Sequence, residues 1–291
     1  MGSLIALLPT LGLFGWLTAA GTAVGSTFGA FKGYVWLREH SKGKYKIVTI
    51  TKSNDKHLNA FCLLYYKLID EIHRIDFSYM EMWFKSGGFG GTKQQIRLCC
   101  HKGTILGFCQ FFYSIEKEVA FISYLGVDSE NASITSGVSD LLLKSVGKFL
   151  SKKVGRNFVV LFEVESPKER DIDSKERAHR TARIRHFSAL GRDKLRAIHQ
   201  VELNYVQPET PNEQINTNQH CMQLLTSMRS DQIKNKKVRA EEVIDWISFI
   251  YYDIYLHSYA NDAEMSEIYK DSLDDLIKEA RQNAGRWVAL S

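Results

Sequence analysis

Hydrophobic and polar positions recur along this chain with two periods, and each period predicts its own kind of element. Alternating or continuous apolar runs predict strands at 46–51, 95–100, 104–114, 119–127, 157–164 and 195–206. Apolar positions at helical spacing predict helices at 58–72 and 137–154, and a charged segment that ends at Gly191 predicts a third helix at 174–190. Three of the strands follow one another through short turns, which is typical of an antiparallel meander. The order of elements therefore predicts a mixed α/β fold, an α+β layout around one mixed sheet.

The pattern changes after Pro208. Residues 212–220 are polar and rich in Asn and Gln, which predicts a linker or a lid. Apolar positions at helical spacing then return at 243–259 and 262–284. We therefore predict that residues 209–291 form a helical C-terminal extension to a domain over 46–208.

The first 38 residues have no such alternation. Residues 1–31 contain no charged side chain, and the apolar run continues to Leu37. A membrane-spanning helix needs about 20 apolar residues, and this run is longer. No basic residue precedes it, which argues against a cleaved signal peptide. We predict a transmembrane helix over 1–38, followed by a basic juxtamembrane linker over 39–45.

Charge is concentrated directly behind this helix. The chain has a net charge of +5, and the segment Lys32–Lys56 accounts for all of it, with seven basic and two acidic side chains. The rest of the chain is neutral, so no nucleic-acid partner is expected. Basic residues flank membrane helices on the cytoplasmic side. The sequence thus predicts a single-pass membrane protein whose C-terminal body is cytoplasmic.

Small residues repeat regularly inside the predicted membrane helix. Gly21, Gly25, Gly29 and Gly33 are spaced four residues apart, so they lie on one helix face. We call this face the glycine stripe. Stripes of small residues let membrane helices approach closely and associate. The stripe predicts a homo-oligomer within the lipid bilayer.

The five cysteines do not form a recognisable ligand or disulfide pattern. None of them is spaced as C-x-x-C, and Cys99 and Cys100 are adjacent. A disulfide framework and a structural zinc site are therefore not expected, and no metal ligand set is predicted.

Four stretches of the predicted domain resemble a known family. They are FISYLGVDSENASITSGVSDLLL (Phe121–Leu143), FEVESP (Phe162–Pro167), RTARIRHFSALG (Arg180–Gly191) and NYVQP (Asn204–Pro208). Together they resemble the GNAT superfamily of N-acetyltransferases, over about residues 46–208. The resemblance implies a GNAT-like fold in which a strand, a phosphate-binding loop and a helix follow one another.

The resemblance also implies a co-substrate, acetyl-CoA or another acyl-CoA. The main chain of Leu125 and Val127 would pair with the pantetheine arm. The pyrophosphate would lie at the N-terminus of the following helix, where free N–H groups favour an anion. The loop positions that correspond to this site are Ser133, Ile134, Thr135, Ser136, Gly137 and Val138. In family chemistry an amine attacks the thioester, a base removes its proton, and a tyrosine protonates the leaving thiolate.

Two positions depart from the family pattern. The loop at 132–137 has one glycine and no basic residue, which weakens the expected phosphate site. The family tyrosine falls on Phe187, which has no hydroxyl; its neighbours His186 and Ser188 are the nearby alternatives.

Two carboxylates stand out on the strand predicted at 157–164 and just after it. Glu163 and Glu165 are two residues apart, and a carboxylate on an apolar strand is costly to bury without a partner. Either could be paired with Arg180, Arg183 or Arg185 on the next helix. Alternatively one could be a general base, and for that role Glu163 is our candidate catalytic residue.

These features support two hypotheses about function. The first is a membrane-anchored acyl-CoA N-acyltransferase whose acceptor the sequence does not identify. The second is a non-catalytic membrane effector, such as a toxin or defence protein, whose glycine stripe oligomerises and perturbs the bilayer. Phe187 and the glycine-poor loop favour the second hypothesis, and the FEVESP and NYVQP stretches favour the first.

Overall fold

A computed structural model describes residues 45–291 except 53–54, 70–73, 133–136, 156, 171, 191–197, 208–220, 229–232, 234 and 260–262. The predicted transmembrane helix, the glycine stripe and all but the last residue of the basic linker lie outside the described residues. So do four positions of the predicted phosphate loop, Ser133, Ile134, Thr135 and Ser136.

Seven strands form a mixed, mostly antiparallel sheet in the order β1-β2-β3-β4-β5-β7-β6. The bounds are β1 Lys46–Ile50, β2 Thr92–His101, β3 Thr104–Ser114, β4 Val119–Val127, β5 Val159–Glu165, β6 Ile198–Val206 and β7 Cys221–Ser227. Strands β4 and β5 are parallel, whereas β7 is antiparallel to both β5 and β6. Two short strands, β8 Lys237–Arg239 and β9 Trp287–Ala289, pair separately. The predicted mixed α/β class is confirmed.

The helices are α1 Leu58–Leu68, α2 Phe77–Ser86, α3 Val138–Lys153, α4 Ser174–Leu190, α5 Ala240–Ser248, α6 Leu256–Tyr259 and α7 Ala263–Asn283. Between α5 and α6 the chain is π-helical over Phe249–Tyr255. Helix α2 shows why such elements stop where they do. The Asp76 side chain caps its N-terminus, accepting from the Ser78 N–H at 2.8 Å, and Gly87 ends it with a φ of 76°.

The described chain divides into two compact units. The first takes in the described part of Met1–Arg74, together with Gln95–Phe111 and Tyr124–Phe149. Its core forms where α1 buries one face, and the Phe61 ring meets the Phe108 ring edge-on at 5.0 Å between centroids. Aromatic pairs in this geometry add to the free energy of apolar burial. The five buried residues of α1 are Leu58, Phe61, Leu64, Tyr65 and Leu68.

The second unit contains Ile75–Gln94, Phe112–Ser123 and Leu150–Ser291. The centre of one cluster is Trp83, which is buried against Phe112 at 4.7 Å between ring centroids. Its indole N–H donates to Ser258 Oγ at 3.2 Å, so the polar atom of this large side chain is paired. These contacts join α2, β3 and α6 within the unit.

The C-terminal residues differ from the sequence prediction. Residues 209–291 were expected to be helical beyond the linker, but they also contain β7, β8 and β9. Strand β7 is inserted between β5 and β6, with Glu163 opposite Leu224 and Tyr205 opposite Met222. Residues 222–227 are almost completely buried, and they pair on both edges. Burial on both faces removes the alternation that identifies a strand in sequence.

None of the helices in the described part of the chain is both long enough and apolar enough to span a bilayer. The residues for which a membrane helix is predicted are not among them.

Candidate active site

Glu163 lies where β5 leaves its parallel neighbour. Strands β4 and β5 pair over four positions, from Val119 opposite Val159 to Ile122 opposite Phe162. Glu163 is the next residue of β5, and it continues to pair with β7 on the other edge. Glu163 thus lies directly beyond the last position at which β4 and β5 pair.

Two tyrosine hydroxyls meet the Glu163 carboxylate. Tyr205 of β6 donates to Oε1, and Tyr255 of the π-helical segment donates to Oε2. Gln207 Nε2 in turn donates to the Tyr255 hydroxyl oxygen at 3.4 Å. The carboxylate and the two tyrosines that donate to it come from three separate parts of the chain. We call Glu163, Tyr205 and Tyr255 the carboxylate–tyrosine cluster.

Burial changes the protonation of this cluster. Removal of the carboxylate from water raises the pKa of Glu163 from 4.5 to about 7, although the hydrogen bonds from Tyr205 and Tyr255 act in the opposite direction. Part of the Glu163 side chain stays accessible, but its carboxylate is desolvated. Burial and then the adjacent Glu163 charge raise the pKa of Tyr205 well above its ordinary value. A carboxyl group with a pKa near 7 can both take up and release a proton at neutral pH.

Two tyrosines of the π-helical segment, Tyr251 and Tyr255, contact the sheet. The Tyr251 hydroxyl donates to the main-chain oxygen of Val206, next to Tyr205 in β6. Tyr255, one wide turn later, reaches Glu163 and packs its ring edge-on against Phe121 of β4. Isolated π-helical turns are rare and are frequent at functional sites. Residues 251 and 255 are four apart, so both lie on the face towards the sheet.

Glu165 has a different environment from Glu163. Arg183 Nη1 contacts it at 2.6 Å and Arg180 Nη2 at 3.4 Å, so the predicted ion pair with the following helix is confirmed for Glu165. Arg180 is buried and also contacts Glu169 and Glu176. For Glu163 the partners among the described residues are tyrosines, not arginines. The structure therefore assigns the ion pair to Glu165 and leaves Glu163 as the candidate base.

Phe187, which the sequence resemblance puts in the place of a catalytic tyrosine, is a packing residue. Its ring lies 5.5 Å from the Phe162 ring, centroid to centroid, between α4 and β5. Burial lowers the pKa of its neighbour His186, so that imidazole is neutral at pH 7. The hydroxyls that do face this part of β5 come instead from Tyr205 and Tyr255.

The end of β4 carries the positions predicted to pair with pantetheine. Leu125 and Val127 both lie in β4 and are partly exposed, and Gly126 between them packs against Phe108 and Leu68. Asp128 follows directly and accepts from Lys67 Nζ at 3.1 Å and from Asn131 Nδ2 at 2.8 Å. Burial raises the pKa of Asp128, but these bonds and one from the Glu130 N–H lower it more. The ionised Asp128 side chain thus holds the turn after β4 in place.

The predicted phosphate loop is described only at its end. Gly137 has a φ of 68° and directly precedes α3, whose first residue, Val138, is buried. A positive φ is the conformation for which glycine is favoured, so the single glycine of this loop stands where the chain turns into the helix. Asp140 in the first turn is paired with Lys144. Helix α3 therefore begins at the residues predicted for a phosphate site.

Tyr205 and Tyr255 were not identified from the sequence as site residues. Tyr205 is the tyrosine of the NYVQP stretch, and Tyr255 belongs to a tyrosine-rich amphipathic helix. Both signals were visible, but neither indicates which carboxylate the hydroxyls meet.

Comparisons with known proteins give the following findings. No protein-family model matches the sequence, and no curated protein matches it. Among solved structures, a GNAT family acetyltransferase from Elizabethkingia anophelis with acetyl-CoA bound is similar, with 16% identity over 64% of this chain and 99% of that chain and a TM-score of 0.39. An IAA acetyltransferase from Bacillus cereus has 11% identity over 63% and 99%, with a TM-score of 0.38. An N-acetyltransferase from Staphylococcus aureus has 11% identity over 63% and 97%, with a TM-score of 0.37.

Proposed function

We propose that this chain is an acyl-CoA-dependent N-acyltransferase and that Glu163 is its general base. The observation that carries the proposal is the carboxylate–tyrosine cluster at the point where β4 and β5 stop pairing. The resemblance of the sequence to GNAT enzymes supports acetyl-CoA or another acyl-CoA as the donor. The acceptor is an amine, because the family chemistry forms an amide from a thioester.

Glu163 suits the role of base because of its protonation. A general base works best when its pKa lies near the working pH, and burial brings the pKa of Glu163 to about 7. The ionised carboxylate would take a proton from the attacking nitrogen. Activity is therefore expected to rise with pH through about 7, as Glu163 loses its proton.

The donor would be held by the end of β4 and by the loop and helix that follow it. The main chain of Leu125 and Val127 would bind the pantetheine arm, and Gly137 and Val138 would border the pyrophosphate at the start of α3. Ser133, Ile134, Thr135 and Ser136 complete the proposed loop. The Asp128 turn supports this assignment because it fixes the chain just after β4.

The test uses the full chain in detergent micelles, acetyl-CoA and longer acyl-CoAs, and a panel of primary amines, with released CoA thiol as the readout. Glu163→Gln is expected to lower kcat by about 10²–10⁴-fold and to leave acyl-CoA affinity in calorimetry unchanged. Glu116→Gln, at an exposed turn position, is the matched control and should keep full activity. If the wild-type chain binds no acyl-CoA and releases no thiol with any amine, the proposal is wrong.

A second candidate function is favoured by one observation, the packing of Phe187 against Phe162 in place of a catalytic tyrosine. In that case the domain is a non-catalytic scaffold, and the membrane effector hypothesis applies. Both candidates share the proposal of a single-pass anchor at 1–38 with a cytoplasmic body and a homo-oligomer formed through Gly21, Gly25, Gly29 and Gly33. They differ in turnover, which the experiment above measures.

A further inference from the structure

Tyr255 joins the two strands that part at the candidate active site. Its ring centroid lies 6.3 Å from that of Phe121 on β4, with the planes at 80°, and its hydroxyl donates to Glu163 on β5. Phe121 and Glu163 flank the last paired position of these strands, Ile122 opposite Phe162. Tyr255 therefore stands at the point where β4 and β5 diverge.

We propose that Tyr255 is the acid that protonates the thiolate leaving the acyl-CoA, and that Tyr205 is a positioning residue for Glu163. This inference rests on the proposed acyltransferase function. It assigns to the π-helical segment the hydroxyl that Phe187 lacks on α4. The active site would then be incomplete without the C-terminal part of the chain.

The proton transfers balance without any further reactant. The amine nitrogen attacks the thioester carbonyl, and a carbon–nitrogen bond forms while the nitrogen gives one proton to Glu163. The carbon–sulfur bond breaks, and Tyr255 gives its hydroxyl proton to the departing sulfur. Glu163 then returns its proton to the Tyr255 oxygen through the hydrogen bond that already joins them. The net reaction moves one proton from nitrogen to sulfur and restores both side chains.

One contact and one difference in position distinguish Tyr255 from Tyr205 in this scheme. Gln207 donates to the Tyr255 oxygen, and such a bond stabilises the phenolate that remains after proton donation. The backbone of Tyr205 lies on β6, two strands from the backbone of Glu163, because β7 lies between β6 and β5. Its side chain reaches Glu163 across β7. Burial and then the Glu163 charge raise the pKa of Tyr205, which keeps its hydroxyl protonated as a donor to the carboxylate. Its hydroxyl is suited to holding the carboxylate in place.

Other titratable groups around Glu163 have partners of their own. Arg180 and Arg183 of α4 are engaged by Glu165 on β5, and the Tyr251 hydroxyl of the π-helical segment donates to Val206. The residue opposite Glu163 on β7 is Leu224, which carries no charge. Cys221, at the start of β7, acts on Tyr205 and has a pKa raised by burial. Burial thus has the largest effect on the protonation of Glu163, and the hydrogen bonds from Tyr205 and Tyr255 oppose it.

The test compares Tyr255→Phe with Tyr205→Phe in the full chain, since each removes one hydroxyl from Glu163. Each variant is assayed with acetyl-CoA and with the p-nitrophenyl thioester of acetic acid, whose thiolate leaves without a proton. For Tyr255→Phe we expect kcat with acetyl-CoA to fall by about 10²–10⁴-fold and the rate with the activated thioester to stay near the wild-type rate. For Tyr205→Phe we expect equal losses with both donors.

The pH profile of kcat/KM distinguishes a positioning role of Tyr205 from a role in packing alone. Loss of the Tyr205 hydroxyl removes a bond to the charged carboxylate, so the acidic limb of the kcat/KM profile should move to higher pH. A purely structural role would leave that limb in place and would overturn the assignment of Tyr205. If Tyr255→Phe loses activity equally with both donors, or loses none, Tyr255 is not the acid.

A second substitution covers the case in which Tyr255→Phe does not fold. Fluorotyrosine incorporated at residue 255 keeps the hydroxyl and lowers its pKa, so the rate with acetyl-CoA should change while the activated thioester reports no change. An unchanged rate with acetyl-CoA would overturn the inference. Failure of the proposed function itself is distinguishable, because the wild-type chain would then turn over no acyl-CoA, and Glu163→Gln would alter nothing.

Discussion

At the scale of single residues, Glu163 carries a cost that its hydrogen bonds only partly offset. Its carboxylate accepts from two hydroxyls, yet burial dominates and raises its pKa from 4.5 to about 7. The folded protein thus binds a proton at Glu163 more strongly than the unfolded chain does. The contribution of Glu163 to the free energy of unfolding is therefore most favourable below the unfolded pKa, and it is lost as the pH rises through about 7. Such a cost is typical of groups retained for chemistry.

The direction of this pKa shift leads to a prediction for Glu163→Gln. At pH 8 the variant should be more stable than the wild type, by on the order of 1–3 kcal/mol, because glutamine is never charged. At pH 5 the two should differ much less, since Glu163 is then protonated in the folded state. Chemical denaturation of the full chain at both pH values measures the difference, with Glu116→Gln as the exposed control. A variant that is less stable at pH 8 would show that the carboxylate is a structural group.

Of the three residues in the carboxylate–tyrosine cluster, Glu163 was identified from the sequence as a candidate. Sequence reasoning identified Glu163 and Glu165 as a pair and named both possible environments, because an acidic residue on an apolar strand needs a partner wherever it lies. The sequence did not show which of the two carboxylates has which environment. Tyr205 and Tyr255 are 42 and 92 residues away from Glu163 in sequence, and the contacts depend on how β6 and the π-helical segment pack. No local pattern contains that information.

At the scale of elements, local patterns were sufficient to locate the longer helices and strands. Helix α3 and the meander of β2, β3 and β4 lie where the apolar residues predict them. Strand β7 was missed because its burial hides the alternation, and because it reaches its place between β5 and β6 only through tertiary pairing. The π-helical turn was also missed, since its residues continue an ordinary helical pattern on both sides.

Two glycines give a prediction about the approach of β3 to β4. A Cβ on Gly107 would lie 2.6 Å from the main-chain oxygen of Gly126, which cannot move without disturbing β4. Gly107→Ala should therefore destabilise the protein by about 1–3 kcal/mol. Gly147, in the interior of α3, has nothing within 4 Å of its Cβ position. Gly147→Ala should stabilise the protein by about 0.5–1 kcal/mol, because alanine loses less entropy in a helix.

Thermal and denaturant unfolding of the two alanine variants tests this prediction directly. The substitutions are chemically identical, so the difference between them reports the space around each glycine. Equal effects on the free energy of unfolding would mean that β3 and β4 are not held at this distance.

At the scale of the whole molecule, charge and apolar sequence are segregated along the chain. The segment Lys32–Lys56 holds the whole net charge of +5, and the uncharged run of residues 1–31 precedes it. The carboxylate–tyrosine cluster lies in the second unit, far from both in sequence. The proposed anchor and the proposed chemistry would thus reside in separate parts of the chain, so substitutions in one should leave the other unchanged.

The final prediction concerns Gly25→Leu combined with Gly29→Leu. Leucine at these positions would block close helix approach and would raise hydrophobicity, so membrane insertion should persist while homo-oligomers are lost. Carbonate-resistant pelleting measures insertion, and cross-linking in detergent measures the oligomer. Glu163→Gln is the reciprocal control, which should retain both properties and lose acyl transfer. An oligomer that is unchanged by the two leucines would mean that the stripe is ordinary membrane glycine. Cell damage that follows the stripe and ignores Glu163 would favour the effector over the enzyme.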